Sequence, residues 1–151
     1  MNTQEVKKDL SQFKFDRELL EHTFSVYRVP GDPIALARAR WSGKHIYDAQ
    51  KLDKLNVSLL LSQQHGSRPL FTGALWLSFI FYLPMPKTSK KQREKLKGCY
   101  HIFKPDISNL IKFYEDVSNN IIFHDDCLIA LLEAKKIYDE NPRTEFFVKE
   151  L

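Results

Sequence analysis

The most constraining feature of the sequence is an apolar segment at residues 71–83, FTGALWLSFIFYL. Because side chains alternate along a strand, this segment would carry two apolar faces. One face would consist of Leu75, Leu77, Phe79, Phe81 and Leu83, and the other would include Trp76, Ile80 and Tyr82. A strand with two apolar faces is predicted to be central in a sheet or to lie at a subunit interface. Pro84 and Pro86 end it. The apolar run is too short for the roughly 20 residues of a membrane-spanning helix.

The composition is that of one soluble domain. The chain has 151 residues, of which 43% are hydrophobic and 28% charged, and this length is enough to bury a core. Its formal net charge of +4 favours an acidic partner, with nucleic acid as the first candidate. The first residues lack the apolar core of a signal peptide, so a cytoplasmic protein is expected. Its two cysteines lie in unrelated contexts and form no metal-binding spacing.

The first half of the chain predicts two helices and a strand around the apolar segment. Residues 3–21 have helical spacing of Val6, Leu10, Phe13 and Leu20 between charged residues. Residues 23–29 predict a strand that the turn sequence PGDP ends at residues 30–33. Residues 47–64 predict a helix whose core-facing side chains would be Leu52, Leu55, Val57 and Leu59.

The second half predicts a helix and at least one strand. Residues 87–104 hold six Lys and one Arg against a single Glu, which indicates a loop or a loosely held helix. Residues 106–120 predict a helix with Leu110, Phe113 and Val117 on its apolar side. Residues 126–138 fit either a helix or an extended run, and residues 144–148 predict a last strand after the turn DENP. The order of elements indicates a single α+β or α/β domain.

The candidate site lies in residues 104–126, KPDISNLIKFYEDVSNNIIFHDD, with carboxylates at both ends and Lys112 between them. Asp106, Asp125 and Asp126 supply hard oxygen ligands of the kind that Mg²⁺ takes, and a divalent ion can activate water against a phosphodiester. A nearby lysine can neutralise phosphate charge. The structural alternative is that Asp106 is only an acid at a helix start and Ser108 only its N-cap. Lys112 would then form an ordinary surface pair with the residue four positions on, Asp116.

Basic residues on both sides of this segment are candidates for DNA contacts. The alternative is that they form an ordinary solvated surface, as most charged runs do. The candidates are Arg38, Arg40, Lys44, Lys90, Lys91, Arg93, Lys95, Lys104 and Lys136.

The motif KPD-x-S-NL-x-K, followed by DD and an apolar pair, resembles the RusA family of Holliday junction resolvases, which are crossover junction endodeoxyribonucleases. The family pattern is PD-x-DNL-x-K, with DD near the start of the following strand. Three further stretches are also similar to family members: the PGDP turn before Arg38 and Arg40, the Lys-rich PMPKTSKKQREKLKG, and the closing KKIYDENPRTEFFV. The resemblance covers residues 23–149.

The resemblance implies an α+β fold with a small mixed sheet packed against helices, assembled as a two-fold dimer. It also implies that residues 126–138 form a strand. Residues 23–151 would be the nuclease domain, and residues 1–22 an N-terminal helical extension.

The activity that the resemblance implies is metal-dependent cleavage of four-way DNA junctions in recombination and repair, with Mg²⁺, or Mn²⁺ in its place, as cofactor. Asp106 and Asp126 match two of the family's three metal-binding aspartates, Lys112 matches its catalytic lysine, and Asp125 is a further candidate ligand. The third aspartate falls on Ser108, where a hydroxyl is a poorer ligand than a carboxylate.

Ser108 leaves three possibilities open. A neighbouring acid (Asp116, Glu115 or Asp125) replaces the missing ligand, or His124 assists. Alternatively, the site binds metal weakly and cuts slowly. In the third case the protein binds branched DNA without efficient cleavage. A more remote alternative is an unrelated RNA- or protein-binding domain, which would not respond to metal.

Overall fold

The computed structural model of the chain describes residues 25–151, so the helix predicted at residues 3–21 lies outside the described residues. In chain order the strands are β1 (Ser25–Pro30), β2 (Arg40–Ser42), β3 (His45–Tyr47), β4 (Leu75–Pro84), β5 (Ile129–Asp139) and β6 (Arg143–Glu150). The helices are α1 (Lys51–His65), α2 (Lys90–Leu96) and α3 (Ile107–Ser118), and a single 3₁₀ turn (Asp126–Leu128) precedes β5. Within the described range, no helix is long and apolar enough to cross a membrane.

The main sheet has four strands in the order β1-β6-β4-β5. β6 is antiparallel to both of its neighbours, whereas β4 and β5 are parallel. A parallel pair needs a long crossover connection, and the chain supplies it with the segment that contains α2 and α3. β2 and β3 form a separate hairpin, which turns at Gly43 with a positive φ of 59°. The α+β class and the mixed sheet are confirmed.

β4 is a central strand, as its two apolar faces predict. Its residue Leu77 lies between Val148 of β6 and Leu132 of β5. The strand begins at Leu75, four residues later than the sequence predicts. The reason is that Phe71 pairs elsewhere: its N–H donates to the carbonyl of Ile122 at 3.0 Å, and its carbonyl accepts from the N–H of His124 at 3.3 Å.

One face of the sheet is covered by α1 and α3. The buried side of α3 consists of Leu110, Phe113, Tyr114, Val117 and Ser118. These side chains join those of β4 and β6 in the larger apolar cluster. The predicted apolar side of α3 is therefore confirmed, and this packing fixes the helix against the sheet.

The predicted inward residues of α1 are wrong apart from Val57. Leu52, Leu55 and Leu59 are 68%, 55% and 55% exposed. The buried residues are Val57, Leu61 and His65, on the opposite side of the helix. His65 fixes this register because its Nδ1 lies 2.7 Å from the hydroxyl of the buried Tyr27 on β1. At the same helix end, Gln64 exchanges two hydrogen bonds with the backbone of Arg28, at 2.8 and 2.6 Å.

The Lys-rich segment contains a short helix and a segment that pairs with β5. Ser89 caps α2 by accepting a hydrogen bond from the N–H of Gln92 at 3.3 Å, and α2 has no buried residue. Gly98 and His101 then donate to carbonyls of β5 at 2.8 and 3.0 Å. The loosely held helix is confirmed. β5 is also confirmed as the strand that the family resemblance implies, because its partner β4 lies beside it along its whole length.

Candidate active site

Asp106 occupies the N-cap position of α3. Its backbone carbonyl accepts from the N–H groups of Asn109 and Leu110, both at 3.1 Å, while its side chain makes no capping hydrogen bond. The carboxylate is exposed and remains available for other contacts. The prediction of Ser108 as the N-cap is therefore wrong, because Ser108 is the second residue of the helix.

Ser108, Lys112 and Glu115 lie on one side of α3. Their spacing of four and three residues places them in a row along the helix, and this row is opposite the buried Leu110 and Val117. Ser108 and Lys112 are exposed and Glu115 is half-buried. The side of α3 that carries the motif residues therefore faces away from the core.

The two consecutive aspartates have different roles in the 3₁₀ turn before β5. Asp125 caps this turn, and its carboxylate accepts from the N–H of Cys127 at 2.8 Å. This hydrogen bond is the main reason that the pKa of Asp125 is below its ordinary value. Asp126 is half-buried inside the turn. Asp125 therefore stabilises the turn, and its neighbour is the stronger candidate for a site carboxylate.

Asp126 and the row on α3 act on one another electrostatically. The pKa of Glu115 is raised, first by its burial and then by the negative charges of Asp126 and Asp116, while Lys112 partly offsets the effect. The 3₁₀ turn also contacts α3 directly. The fold thus brings Asp126, Glu115 and Lys112 together, and Asp106 stands at the start of the same helix.

Residues 25–151 contain no group of three or more His, Cys, Asp or Glu side chains arranged to hold a metal ion. Mg²⁺ is nevertheless often bound by only one or two carboxylates, with water and substrate phosphate completing its shell. Asp126 and Glu115 are the candidates for that smaller requirement, because the negative charge of Asp126 acts on Glu115. His124 is exposed and not part of such a group.

An exposed apolar pair beside the site was not predicted. Ile102 and Phe103 are 81% and 66% exposed, and they directly precede the KPD motif. Lys136 on β5 holds this loop, since its ammonium group donates to the carbonyls of Phe103 and Pro105. The sequence does show an apolar pair between His101 and Lys104, but such a pair could equally be buried in the core, so its exposure could not be predicted. Exposed apolar residues at a site rim are typical of a contact surface.

The basic residues fall into three places, and their role in DNA binding remains a prediction. Arg38, Arg40 and Lys44 are exposed on and beside the β2–β3 hairpin. On α2, Lys90, Lys91 and Lys95 are exposed, whereas Arg93 forms an ion pair with Glu140. Lys104 is exposed next to Asp106, and Lys136 is occupied with the loop carbonyls.

Comparison with known proteins agrees with the motif. The family model of the endodeoxyribonuclease RusA matches residues 30–149, which include β2 to β5 and the whole candidate site. The chain is also similar to the uncharacterized protein YqaN of Bacillus subtilis (strain 168), with 37% identity over 139 residues, which cover 85% of this chain and 95% of that protein. The chain belongs to the RusA endodeoxyribonuclease family.

Proposed function

We propose that this protein is a metal-dependent endonuclease that cleaves four-way DNA junctions during recombination and repair. The observation that carries the proposal is the electrostatic coupling of Asp126 with Glu115 beside Lys112. Two electrostatically coupled carboxylates and an exposed lysine are the kinds of group that phosphodiester hydrolysis needs. Family membership makes DNA the expected substrate.

Asp126 and Glu115 would hold Mg²⁺, or Mn²⁺ in its place. When bound, this ion would make the attacking water more nucleophilic and offset the charge of the leaving oxygen. Lys112 would bind a non-bridging oxygen of the scissile phosphate, and its position next to Glu115 keeps this positive charge at the site. Asp106 would act from the positive end of α3, where a negative charge is favourable.

Glu115 would supply the carboxylate that Ser108 lacks. It lies in the same row on α3 as Ser108, it is half-buried, and the charge of Asp126 acts on it. Of the two other acids, Asp125 is held by its hydrogen bond to Cys127, and Asp116 is exposed. Glu115 therefore fits the role best.

A two-fold dimer would present two equivalent sites to a two-fold symmetric junction, as two incisions require. The exposed leucines of α1 are the surface that supports this part of the proposal. Leu52, Leu55 and Leu59 form a continuous apolar row on the outer side of the helix. Such a row on a soluble protein is typical of a subunit contact, and full burial of each leucine would contribute about 1.5–3 kcal/mol.

A second candidate function is the binding of branched DNA without efficient cleavage. It is favoured by the lack, within residues 25–151, of a complete group of three metal-binding side chains. In that case the basic residues would bind the junction, and the carboxylates would have only structural roles.

Cleavage of a labelled synthetic four-way junction in Mg²⁺, Mn²⁺ or EDTA distinguishes the two functions. We expect metal-dependent cleavage by the wild type, and its loss in Asp126→Asn with junction binding largely kept. Glu115→Gln should lose cleavage as well, whereas the matched variant Asp116→Asn should keep it. Wild-type protein that binds the junction but never cuts it in either metal would establish the second function. A dead Asp116→Asn variant beside an active Glu115→Gln variant would place the replacing acid at residue 116.

A further inference from the structure

The loop before α3 presents two apolar side chains to solvent. Phe103 is 66% exposed and Ile102 is 81% exposed. Removal of side chains of this size from water is strongly favourable, so the fold leaves a favourable interaction unmade at this place. Large apolar side chains that a fold leaves exposed beside a site are typical of a surface that binds a partner.

The backbone of this loop is held on both sides of Phe103. The N–H of His101 donates to the carbonyl of Lys136 on β5 at 3.0 Å, and the His101 ring packs on Tyr138 with 4.7 Å between ring centroids. The ammonium group of Lys136 donates in turn to the carbonyls of Phe103 and Pro105. His101 also meets the Phe103 ring edge-on, with 6.1 Å between ring centroids. The edge of the sheet therefore fixes the loop, and the Phe103 ring is presented from a held backbone.

We propose that Phe103 stacks on a base at the branch point of the DNA junction, an inference that rests on the proposed function because it names the feature of the DNA that this site recognises. In a continuous duplex, both faces of each base pair are covered by neighbouring pairs. A base pair at a branch point has an uncovered face, and an aromatic side chain gains stacking energy there that an intact duplex does not offer. Phe103 would thus favour branched DNA over duplex DNA.

The charge around the loop favours a nucleic acid over a protein as the partner. Lys104 follows Phe103 directly and is exposed, and α2, which precedes the loop, exposes Lys90, Lys91 and Lys95. Sites that bind unstacked nucleic acid combine cations for the backbone with aromatic rings for the bases. The loop and α2 together supply both kinds of group.

The position of Phe103 along the chain agrees with this role. Lys112, the proposed phosphate ligand, lies six residues after Asp106, which is about 9 Å along the helix at 1.5 Å per residue. The three residues from Phe103 to Asp106 add at most about 10 Å. At about 3.4 Å per nucleotide of one strand, Phe103 and Lys112 are no more than roughly six nucleotides apart. The stacked base and the scissile phosphate can therefore belong to the same branch point.

Junction binding in EDTA tests the stacking separately from cleavage. We expect Phe103→Ala to lower the affinity for a synthetic four-way junction about tenfold, which corresponds to about 1.4 kcal/mol and lies in the range for stacking of one base. The affinity for a duplex of the same sequence should stay unchanged. Phe103→Tyr keeps an aromatic ring and should bind both DNAs as the wild type does.

Leu151→Ala is the matched control. Leu151 is 63% exposed, and its N–H donates to the carbonyl of Ala74 at the start of β4, whereas the loop at Phe103 is held by Lys136, opposite Phe81 near the other end of that strand. We expect this variant to keep the wild-type affinity for both DNAs. Circular dichroism should show the same fold in all the variants, because the substituted side chains are exposed.

The fluorescent base 2-aminopurine, placed at the branch point, reports the stacking directly. Wild type and Phe103→Tyr should change its fluorescence, and Phe103→Ala at saturating concentration should not. Equal ratios of junction to duplex affinity in wild type and Phe103→Ala would overturn the inference, even for a protein that cuts junctions in Mg²⁺. Altered sedimentation of the Phe103→Ala protein with an unchanged affinity ratio would instead identify the loop as a protein contact. A selective loss of junction affinity in a protein that never cuts would uphold the stacking and refute the nuclease activity.

Discussion

Tyr114→Phe tests the hydrogen bonds that hold α3, and with it the candidate site, against the sheet. The buried hydroxyl of Tyr114 accepts from the Thr144 hydroxyl on β6 at 2.9 Å and from the N–H of Ile34 at 3.1 Å. Phenylalanine keeps the ring packing and removes both acceptor interactions. With about 1 kcal/mol for each hydrogen bond removed, we expect the free energy of unfolding to fall by about 2 kcal/mol. For a chain of this size, Tm would then fall by roughly 4–8 °C.

Urea and thermal unfolding followed by circular dichroism would measure this destabilisation. Tyr47→Phe removes an exposed hydroxyl and is the matched control, for which a change within about 0.5 kcal/mol is expected. A double-mutant cycle with Thr144→Val isolates the Tyr114–Thr144 interaction, and the two destabilisations should be less than additive. A stability of Tyr114→Phe equal to that of the control would show that these hydrogen bonds do not hold the helix.

Four further predictions concern the site and its surfaces. Burial and nearby carboxylates raise the pKa of Glu115, so the free energy of unfolding of the wild type should fall as pH rises from the ordinary glutamate pKa to the raised pKa of Glu115. Urea titrations at several pH values should show this loss of stability in the wild type and not in Glu115→Gln. Because Glu115 is proposed to supply the missing carboxylate, Ser108→Asp should change cleavage at low Mg²⁺ only little, and a tenfold gain, about 1.4 kcal/mol of transition-state stabilisation, would instead mark the natural site as weakened. Leu55→Asp should convert a dimer to a monomer in sedimentation, unlike Ser67→Asp. Replacement of Lys90, Lys91 and Lys95 by alanine should flatten the log–log salt dependence of junction binding by roughly 0.9 for each DNA phosphate that the variant no longer neutralises.

The sequence predicts β4 and α3 well because each has a pattern that only one structure satisfies. Apolar residues on both faces of β4 require neighbours on both faces, and the apolar side of α3 requires a sheet to pack on. The strand β5 was different, since LIALLEAKK fits a helix or a strand equally well. Its conformation depends on pairing with β4, which is distant in sequence, and only the family resemblance predicted it.

The register of α1 could not be predicted from local spacing. Leu52, Leu55 and Leu59 form as good a helical row as Val57, Leu61 and His65, and the leucines are the more apolar of the two sets. The choice is made by Tyr27, 38 residues before His65, through a buried hydrogen bond that has no local signal. Tertiary contacts therefore decide that these leucines lie on the outside of the helix, where they form the surface of the proposed dimer contact.

The site shows the same division between local pattern and tertiary contact. Local spacing predicted Asp106, Lys112 and Asp126 as site residues, and the family resemblance implied that residue 108 lacks a carboxylate. Which acid can replace it depends on which one faces Asp126, because a cation is held by charges that converge in space. Ser108 and Glu115 lie two turns apart in one row of α3, so an acid at either position projects from the same side of the helix. Burial first, and then the negative charges of Asp126 and Asp116, raise the pKa of Glu115, so its charged form is disfavoured there. A group that is strained by neighbouring negative charge when no cation is bound is the one that gains most when a cation arrives.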